Sequence, residues 1–348
     1  MPLQLGNLHF YLGPKAAGAP DDLEAPIIEA IDNATSTVYL ATQQLECLGI
    51  INALITARKR GIRVRAILER DYLLSRSPRK EPWEQGGSNE DNRQALIALF
   101  RAKVDIRIDR SSRTLHNNFL VIDHRKKGLG TVITTSANLT PRGVGLHYNH
   151  LLIIKDDKVA KDFYQEFDAI WEDDPRFSHG DTPVEIMVNE IRVKPIFAPN
   201  HAPEMELMKQ IAKAKERIDF AIYSFSKSSG VDDAMKLASR AGTSIRGIFD
   251  KNQANQRWAA KYELEAEGIE VFSSTGKNWR GKVHHKLVVI DNSIVIAGTF
   301  NFSQAANFNE EVLVVLGDLE AESDSTINQQ AELVAFARAE IDRLILEA

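Results

Sequence analysis

The stretch Val283-His284-His285-Lys286-Leu287-Val288-Val289-Ile290-Asp291, followed by Gly298-Thr299-Phe300-Asn301, gathers residue types suited to an anion. Its apolar runs read as two buried strands joined by a turn at Asp291-Asn292. On a strand, residues two apart face the same side, so His284 and Lys286 project together. Alone, such a stretch describes a buried strand with a satisfied histidine as well as it describes a site. A second copy changes the balance: Leu115-His116-Asn117-Asn118-Phe119-Leu120-Val121-Ile122-Asp123, then Thr135-Ser136-Ala137-Asn138.

The elements around the two copies repeat in the same order. His116 and His284 are 168 residues apart, as are Asp123 and Asp291. Ala41 and Ala221 are offset by 180, because the long Asp71–Asn92 loop extends the first half; Asn138 and Asn301 are offset by 163, because the first half carries an extra basic turn. Each half runs strand, helix, strand, helix, strand, helix, strand, then the histidine hairpin, another strand and a closing helix. The expected fold is therefore α/β and internally duplicated, with the first lobe over residues 1–173 and the second over 174–348. The Asp71–Asn92 loop is long enough to be a binding element.

Composition sets outer bounds. Hydrophobic residues at 43% and charged ones at 26% fit a globular chain with a sizeable core. Cys47, the lone cysteine, excludes an internal disulfide and a cysteine-based zinc site. No apolar run nears the roughly eighteen residues of a membrane span. The first residues lack the pattern of a secretion signal, so a cytoplasmic location is expected. The net charge of −5 does not announce a polyanion partner. Basic residues do cluster, however, at Arg110 and Arg113, at Arg125-Lys126-Lys127, and at Lys277, Arg280 and Lys282, with Trp279 between the first two of these as a possible stacking ring.

The pattern His284-x-Lys286, four residues, Asp291, then Gly298-Thr299-x-Asn301, resembles the paired signature of the phospholipase D superfamily, and the resemblance covers nearly the whole chain. The second copy is complete; the first has Asn118 where the lysine belongs and Thr135 in place of the glycine. The resemblance implies two α/β/α sandwiches about a pseudo-twofold axis, one active site between them, and phosphodiester chemistry through a phosphohistidine without metal or cofactor. Attack on phosphorus needs a neutral imidazole and the leaving alkoxide needs a proton, roles open to histidine near its ordinary pKa of about 6.5. By resemblance His116 is the nucleophile and His284 the general acid. Lys286, with Asn118 at the matching position, sits at the phosphate, which Ser136, Asn138, Thr299 and Asn301 also bind. Glu310 or Glu311 orients a histidine; near Asn149 and His150 the first half offers no carboxylate. Asp123 and Asp291 hold backbone.

Asn118 leaves three readings open: a natural variant compensated by basic neighbours, a site that binds without turnover, or a deliberate Lys→Asn substitution. The basic flanks favour a nuclease acting on DNA or RNA. Phospholipase D or transphosphatidylase activity on phospholipid is the alternative, and a catalytically impaired nucleic-acid-binding protein a third.

Overall fold

The computed structural model describes residues 1–74, 86–172, 184–275 and 279–348. The first lobe comprises β1 (Leu3–Leu5), β2 (Leu8–Gly13), α1 (Ala25–Asp32), β3 (Thr37–Thr42), α2 (Leu48–Lys59), β4 (Arg63–Leu68), α3 (Glu90–Arg101), β5 (Asp105–Ile108), β6 (Asn118–Ile122), β7 (Thr131–Thr135), α4 (Pro141–Gly145), β8 (Asn149–Lys155) and α5 (Asp157–Glu172). The second comprises β9 (Ile186–Val188), β10 (Ile191–Ala198), α6 (Pro203–Lys213), β11 (Arg217–Ile222), α7 (Val231–Arg240), β12 (Ser244–Phe249), α8 (Lys251–Ala254), α9 (Lys261–Ala266), β13 (Glu270–Ser273), β14 (Lys286–Ile290), β15 (Ile294–Gly298), β16 (Glu311–Gly317) and α10 (Asp324–Glu347). The expected boundary at 173/174 lies outside the described residues.

Each lobe holds one eight-stranded sheet, ordered β1-β2-β8-β7-β6-β3-β4-β5 and β9-β10-β16-β15-β14-β11-β12-β13. Position by position the two orders coincide, so the duplication read from the sequence is the architecture. In both, three parallel strands (β3, β4, β5; β11, β12, β13) meet an antiparallel set through β6 and β14. These central strands are nearly continuous apolar runs because both faces are covered.

The two sandwiches meet through their inner helical layers. One outer core packs α1, α2 and α3 on the first sheet, and another packs α6, α7 and α9 on the second. The third is a single cluster drawing on the inner faces of both sheets and on α5 and α10. Phe163 of α5 meets Phe119 of its own sheet at 5.3 Å between ring centroids and Phe197 of the other lobe at 5.0 Å. The inner helical layer is thus shared.

The two motif aspartates anchor the far ends of β6 and β14. Asp123 accepts hydrogen bonds from the backbone of Thr35, Ser36 and Thr37 and from the Thr35 and Ser36 hydroxyls, at 2.7–2.9 Å. Burial alone would raise its pKa, but these bonds outweigh it and hold the carboxyl below its usual value. Asp291 takes the backbone N–H groups of Lys215, Glu216 and Arg217. Both adopt left-handed backbone, at φ 52° and 51°. Both carboxylates thus tie the strand end to the backbone of the neighbouring loop.

Because one aromatic side chain serves both lobes, Phe163→Ala is expected to lower stability by about 3–5 kcal/mol. The chain should lose structure in one transition, with tryptophan fluorescence and circular dichroism coincident in urea. Two transitions, of which only one shifts, would contradict a shared core.

Candidate active site

Each histidine enters its strand through a bridge to the other lobe. Leu115 pairs in parallel with Glu310, and Val283 with Tyr148. The His116 N–H donates to the Glu310 carbonyl at 3.0 Å, and the Glu310 N–H to Thr114. In the mirror arrangement the His284 N–H donates to Tyr148 at 2.9 Å, and the Tyr148 N–H to Lys282. Gly281 permits the second approach: a Cβ there would lie 2.0 Å from the Leu146 carbonyl oxygen. Two strand starts that are 168 residues apart are thereby brought to one cavity of about 480 Å³, which both His116 and His284 line.

The side chains cross the same boundary. His116 Nδ1 donates to Glu311 Oε2 at 2.8 Å, a carboxylate from the opposite lobe and itself buried. His284 Nδ1 lies 2.9 Å from the Ser136 carbonyl and 3.0 Å from Asn149 Oδ1. Both partners accept, so the proton of neutral His284 sits on Nδ1 and leaves Nε2 with its lone pair. Asn149 and Glu311 each open the strand that closes the motif, so they are pseudo-twofold counterparts; the second lobe supplies an anion where the first supplies an amide.

Lys286 lies beneath His284, with Nζ donating to the His284 carbonyl at 3.0 Å and standing 3.3 and 3.4 Å from the two ring nitrogens. Burial, only partly offset by the Glu311 charge, lowers its pKa to about 7. Burial and the neighbouring Lys286 charge hold His284 well below the usual histidine value.

The first-lobe counterpart does something else. Asn118 Oδ1 accepts from the Thr42 hydroxyl at 2.7 Å and the Gln43 N–H at 3.3 Å, while its amide reaches Asn138 Oδ1 at 3.5 Å. It braces the turn after β3 and does not stand in for a cation. Asn138, which lines the cavity, donates to Gln44 Oε1 at 2.7 Å. Asn301 has a buried carbonyl oxygen without a partner among the described residues. The hydroxyls of Ser136 and Thr299 are engaged in scaffold, Ser136 with Asn149 and the His150 N–H, Thr299 with the backbone of Val312. Their expected place at the phosphate is thus taken by structural bonds.

Other sequence expectations are corrected. Glu310 does not face the histidines: it pairs with Arg113 at 3.6 Å, and burial together with the charge of Glu166 on α5 raises its pKa. Adjacent residues on an extended segment point to opposite sides, so only Glu311 can reach His116. Arg125, Lys126 and Lys127 occupy the β6–β7 turn, a strand length of roughly 16 Å from Asn118. Arg125 stacks over Tyr164 instead. Arg110 lines a different cavity, with Trp171 and Arg107. Trp279 packs edge-on against Tyr148 and donates to the Glu347 carbonyl, half-buried at the edge of the shared core. Arg280 is exposed beside it, and Lys277 lies outside the described residues.

The cavity's own cations are Lys282, which the sequence shows only as a member of a basic cluster, and Arg142, which it does not single out; His147, Tyr223, Gln43, Gln44, Glu46 and Tyr72 line it with them. Lys282 was within reach of the pattern, since it stands two residues before His284. Its ammonium bonds the Tyr223 hydroxyl at 3.2 Å, and burial beside Lys282 and Arg142 lowers His147 to about 4. Among the described residues no group of three or more His, Cys, Asp or Glu could hold a metal ion, and no helix is long and apolar enough to cross a membrane.

Comparison with known proteins agrees with the geometry. The family model described as cardiolipin synthase, PLD-like domain matches residues 27–171 and again 207–332, one match per lobe. Phospholipase D of Rickettsia conorii is 29% identical over 141 residues, 40% of this chain and 60% of that protein. Human mitochondrial cardiolipin hydrolase is 27% identical over 131 residues, 35% of this chain and 44% of that one. The matched segments thus span about 60% or less of these curated relatives. Phosphatidylserine synthase of Haemophilus influenzae superposes over 100% of this chain and 88% of its own, at a TM-score of 0.68 and 13% identity, which speaks to fold. With both lobes matched and both histidine motifs on one cavity, the chain belongs to the phospholipase D superfamily of phosphodiesterases.

Proposed function

We propose that the protein is a metal-independent phosphodiesterase that hydrolyses or transfers phospholipid head groups through a phosphohistidine. The observation that carries this reading is the crossing of histidines between lobes: His116 on Glu311, His284 on Asn149, one cavity between them.

His116 suits the nucleophile. When its Nε2 bonds to phosphorus and the P–O bond to the leaving alcohol breaks, the ring becomes cationic, and the Glu311 carboxylate on Nδ1 stabilises that charge. His284 has no carboxylate and adjoins Lys286, which disfavours a lasting positive charge there. The protonated form, which carries a second proton on Nε2, donates it to the departing alkoxide; the neutral ring left behind, with Nε2 bare and Nδ1–H held by Ser136 and Asn149, is the base that activates water or an acceptor alcohol. Lys286, bonded beneath His284, supplies the charge that meets a non-bridging oxygen, and the Asn138 amide lines the same cavity. A site with one lysine in place of two remains chemically complete, because Lys282 and Arg142 add positive charge at the cavity wall.

The choice of diester follows from where the basic residues lie. Of the basic residues that suggested a polynucleotide track, Arg125, Lys126 and Lys127 lie in the turn at the far end of β6, Arg110 lines a different cavity, and Arg113 is paired with Glu310. A cavity of about 480 Å³ suits one diester and its alcohol better than a continuing backbone. The names of the curated relatives, phospholipase D and mitochondrial cardiolipin hydrolase, support the same choice. Vesicle hydrolysis in EDTA, run beside DNA and RNA degradation, tests it: head-group release that is lost in His284→Ala is expected, and degraded nucleic acid with intact lipid would contradict it.

Protonated Lys286 exists below its pKa of about 7, so kcat/KM should fall as pH rises through roughly that value. Lys286→Arg keeps a charged side chain and should move this alkaline limb upward; an unmoved limb would show that another group sets it. Replacing Glu311 by Gln removes a charge-assisted hydrogen bond of about 1.5–3 kcal/mol. It should lower kcat at least about tenfold while leaving KM nearly unchanged. A variant with wild-type kcat would mean that the carboxylate does not act on His116.

A further inference from the structure

One wall of the cavity carries a group that phosphate chemistry does not require. Glu46 lines it together with Gln43, Gln44 and Tyr72, all from the first lobe. Its placement is not accidental to a loose loop. The N–H groups of Glu46 and Cys47 both donate to the Leu139 carbonyl, at 2.7 and 3.1 Å, one residue beyond the phosphate-facing Asn138. Two residues earlier, Gln44 accepts from the Asn138 amide. Buried Asn92 clamps the turn from behind, taking the Leu45 N–H on its oxygen at 2.7 Å and donating to Glu46 Oε1 at 2.5 Å. The carboxylate is thus held at a fixed offset from the amide that would grip the phosphate.

Glu46 is half-buried and has no cationic partner among the described residues. Its electrostatic surroundings are unfavourable to its charge: burial raises its pKa, the nearby Asp91 adds to this, and only the Asn92 amide opposes them. An ionised carboxylate left so in a cavity is an acceptor that a positive ligand would complete. A hydroxyl on the ligand could hydrogen-bond to it without neutralising it. A second phosphate passing along this wall, as in a polynucleotide, would be repelled.

Resting on the phospholipid reading above, we propose that Glu46 is the recognition residue for a cationic group on the alcohol esterified to the phosphate. The preferred substrate is then a zwitterionic phosphodiester of an amino alcohol, of the ethanolamine or choline type. Its phosphate lies at His116, His284 and Lys286, and its ammonium lies at Glu46, with the Tyr72 ring in the same cavity as a cation-compatible surface.

The test compares head-group release from phosphatidylethanolamine and phosphatidylglycerol vesicles of matched size, with DNA as a parallel substrate. Wild-type protein is expected to favour the ethanolamine lipid by about tenfold in kcat/KM, as a charge-assisted contact would give. Glu46→Gln retains an oxygen for Asn92 and should bring the ratio of the two lipids close to one, chiefly through KM on the ethanolamine lipid. Glu46→Asp, which keeps the charge, should retain part of the preference and guards against a folding artefact. Equal loss on both lipids in Glu46→Gln, or a wild-type preference for the glycerol lipid, would overturn the assignment. Degradation of DNA with neither lipid cut would overturn the phospholipid reading itself, and the two failures are told apart by that third substrate.

Discussion

Everything at the centre of this molecule depends on two short bridges between lobes, Leu115 with Glu310 and Val283 with Tyr148. Each bridge fixes the backbone one residue before a histidine and, on the opposite strand, the backbone one residue before the group that orients that same histidine. Backbone hydrogen bonds on both sides leave little freedom in the relative position of His116 and Glu311, or of His284 and Asn149. Such preorganisation is what electrostatic catalysis at phosphorus needs, since the charges that develop are brief and the groups that meet them cannot reorganise in time. The shared inner core, with α5 and α10 between the sheets, makes the bridges rigid.

Duplication built the frame, and divergence differentiated the halves. At paired positions the first lobe has Asn118 where the second has Lys286, and Asn149 where the second has Glu311. Both charged members come from the second lobe and both of their first-lobe counterparts are amides, so one half-site lacks these charges while sharing the geometry. The buried layer below shows the same asymmetry. His150 accepts the Gly298 N–H on Nε2 at 2.9 Å and lies 3.3 Å through Nδ1 from His285, whose other nitrogen faces Glu340 at 3.5 Å. Arg343 in turn holds Glu340. Asn117, the counterpart of His285, has neither side-chain atom satisfied among the described residues. The intact polar chain thus supports the turn at Gly298 that leads to Thr299 and Asn301.

Much of this was legible in the sequence, for identifiable reasons. Strand and helix order along the chain could be read twice, which is why the internal duplication was visible before the sheet order was known. His116, His284 and Lys286 were visible because side-chain period on a strand is fixed. What the sequence could not yield was direction across the lobe boundary. It left Glu310 and Glu311 equivalent, although only one can face the histidine, and it set Asn149 and His150 at the matching positions without showing that Asn149 takes a histidine in turn. Basic residues near the motif in sequence, such as Arg125 to Lys127, were assigned to the site, yet a five-residue strand carries them to its far end. Lys282 and Arg142, less conspicuous as a cluster, are the cations that the fold brings in. Trp279 looked like a stacking platform because a loop tryptophan can be one; its indole proved to be packed and bonded.

The central claim is that two lobes supply one histidine each to a single covalent mechanism, with the carboxylate-backed histidine as nucleophile. It is tested most directly by mapping the phosphoryl adduct by mass spectrometry, after rapid quench under conditions that preserve phosphohistidine. The substrate should be a diester with an activated leaving group, and the protein the His284→Ala variant, in which breakdown of the intermediate lacks its base. The adduct is predicted on the peptide containing His116 and should be absent from His116→Ala. An adduct on His284 in wild-type protein, or turnover by the wild type with no adduct on either histidine, would contradict the account.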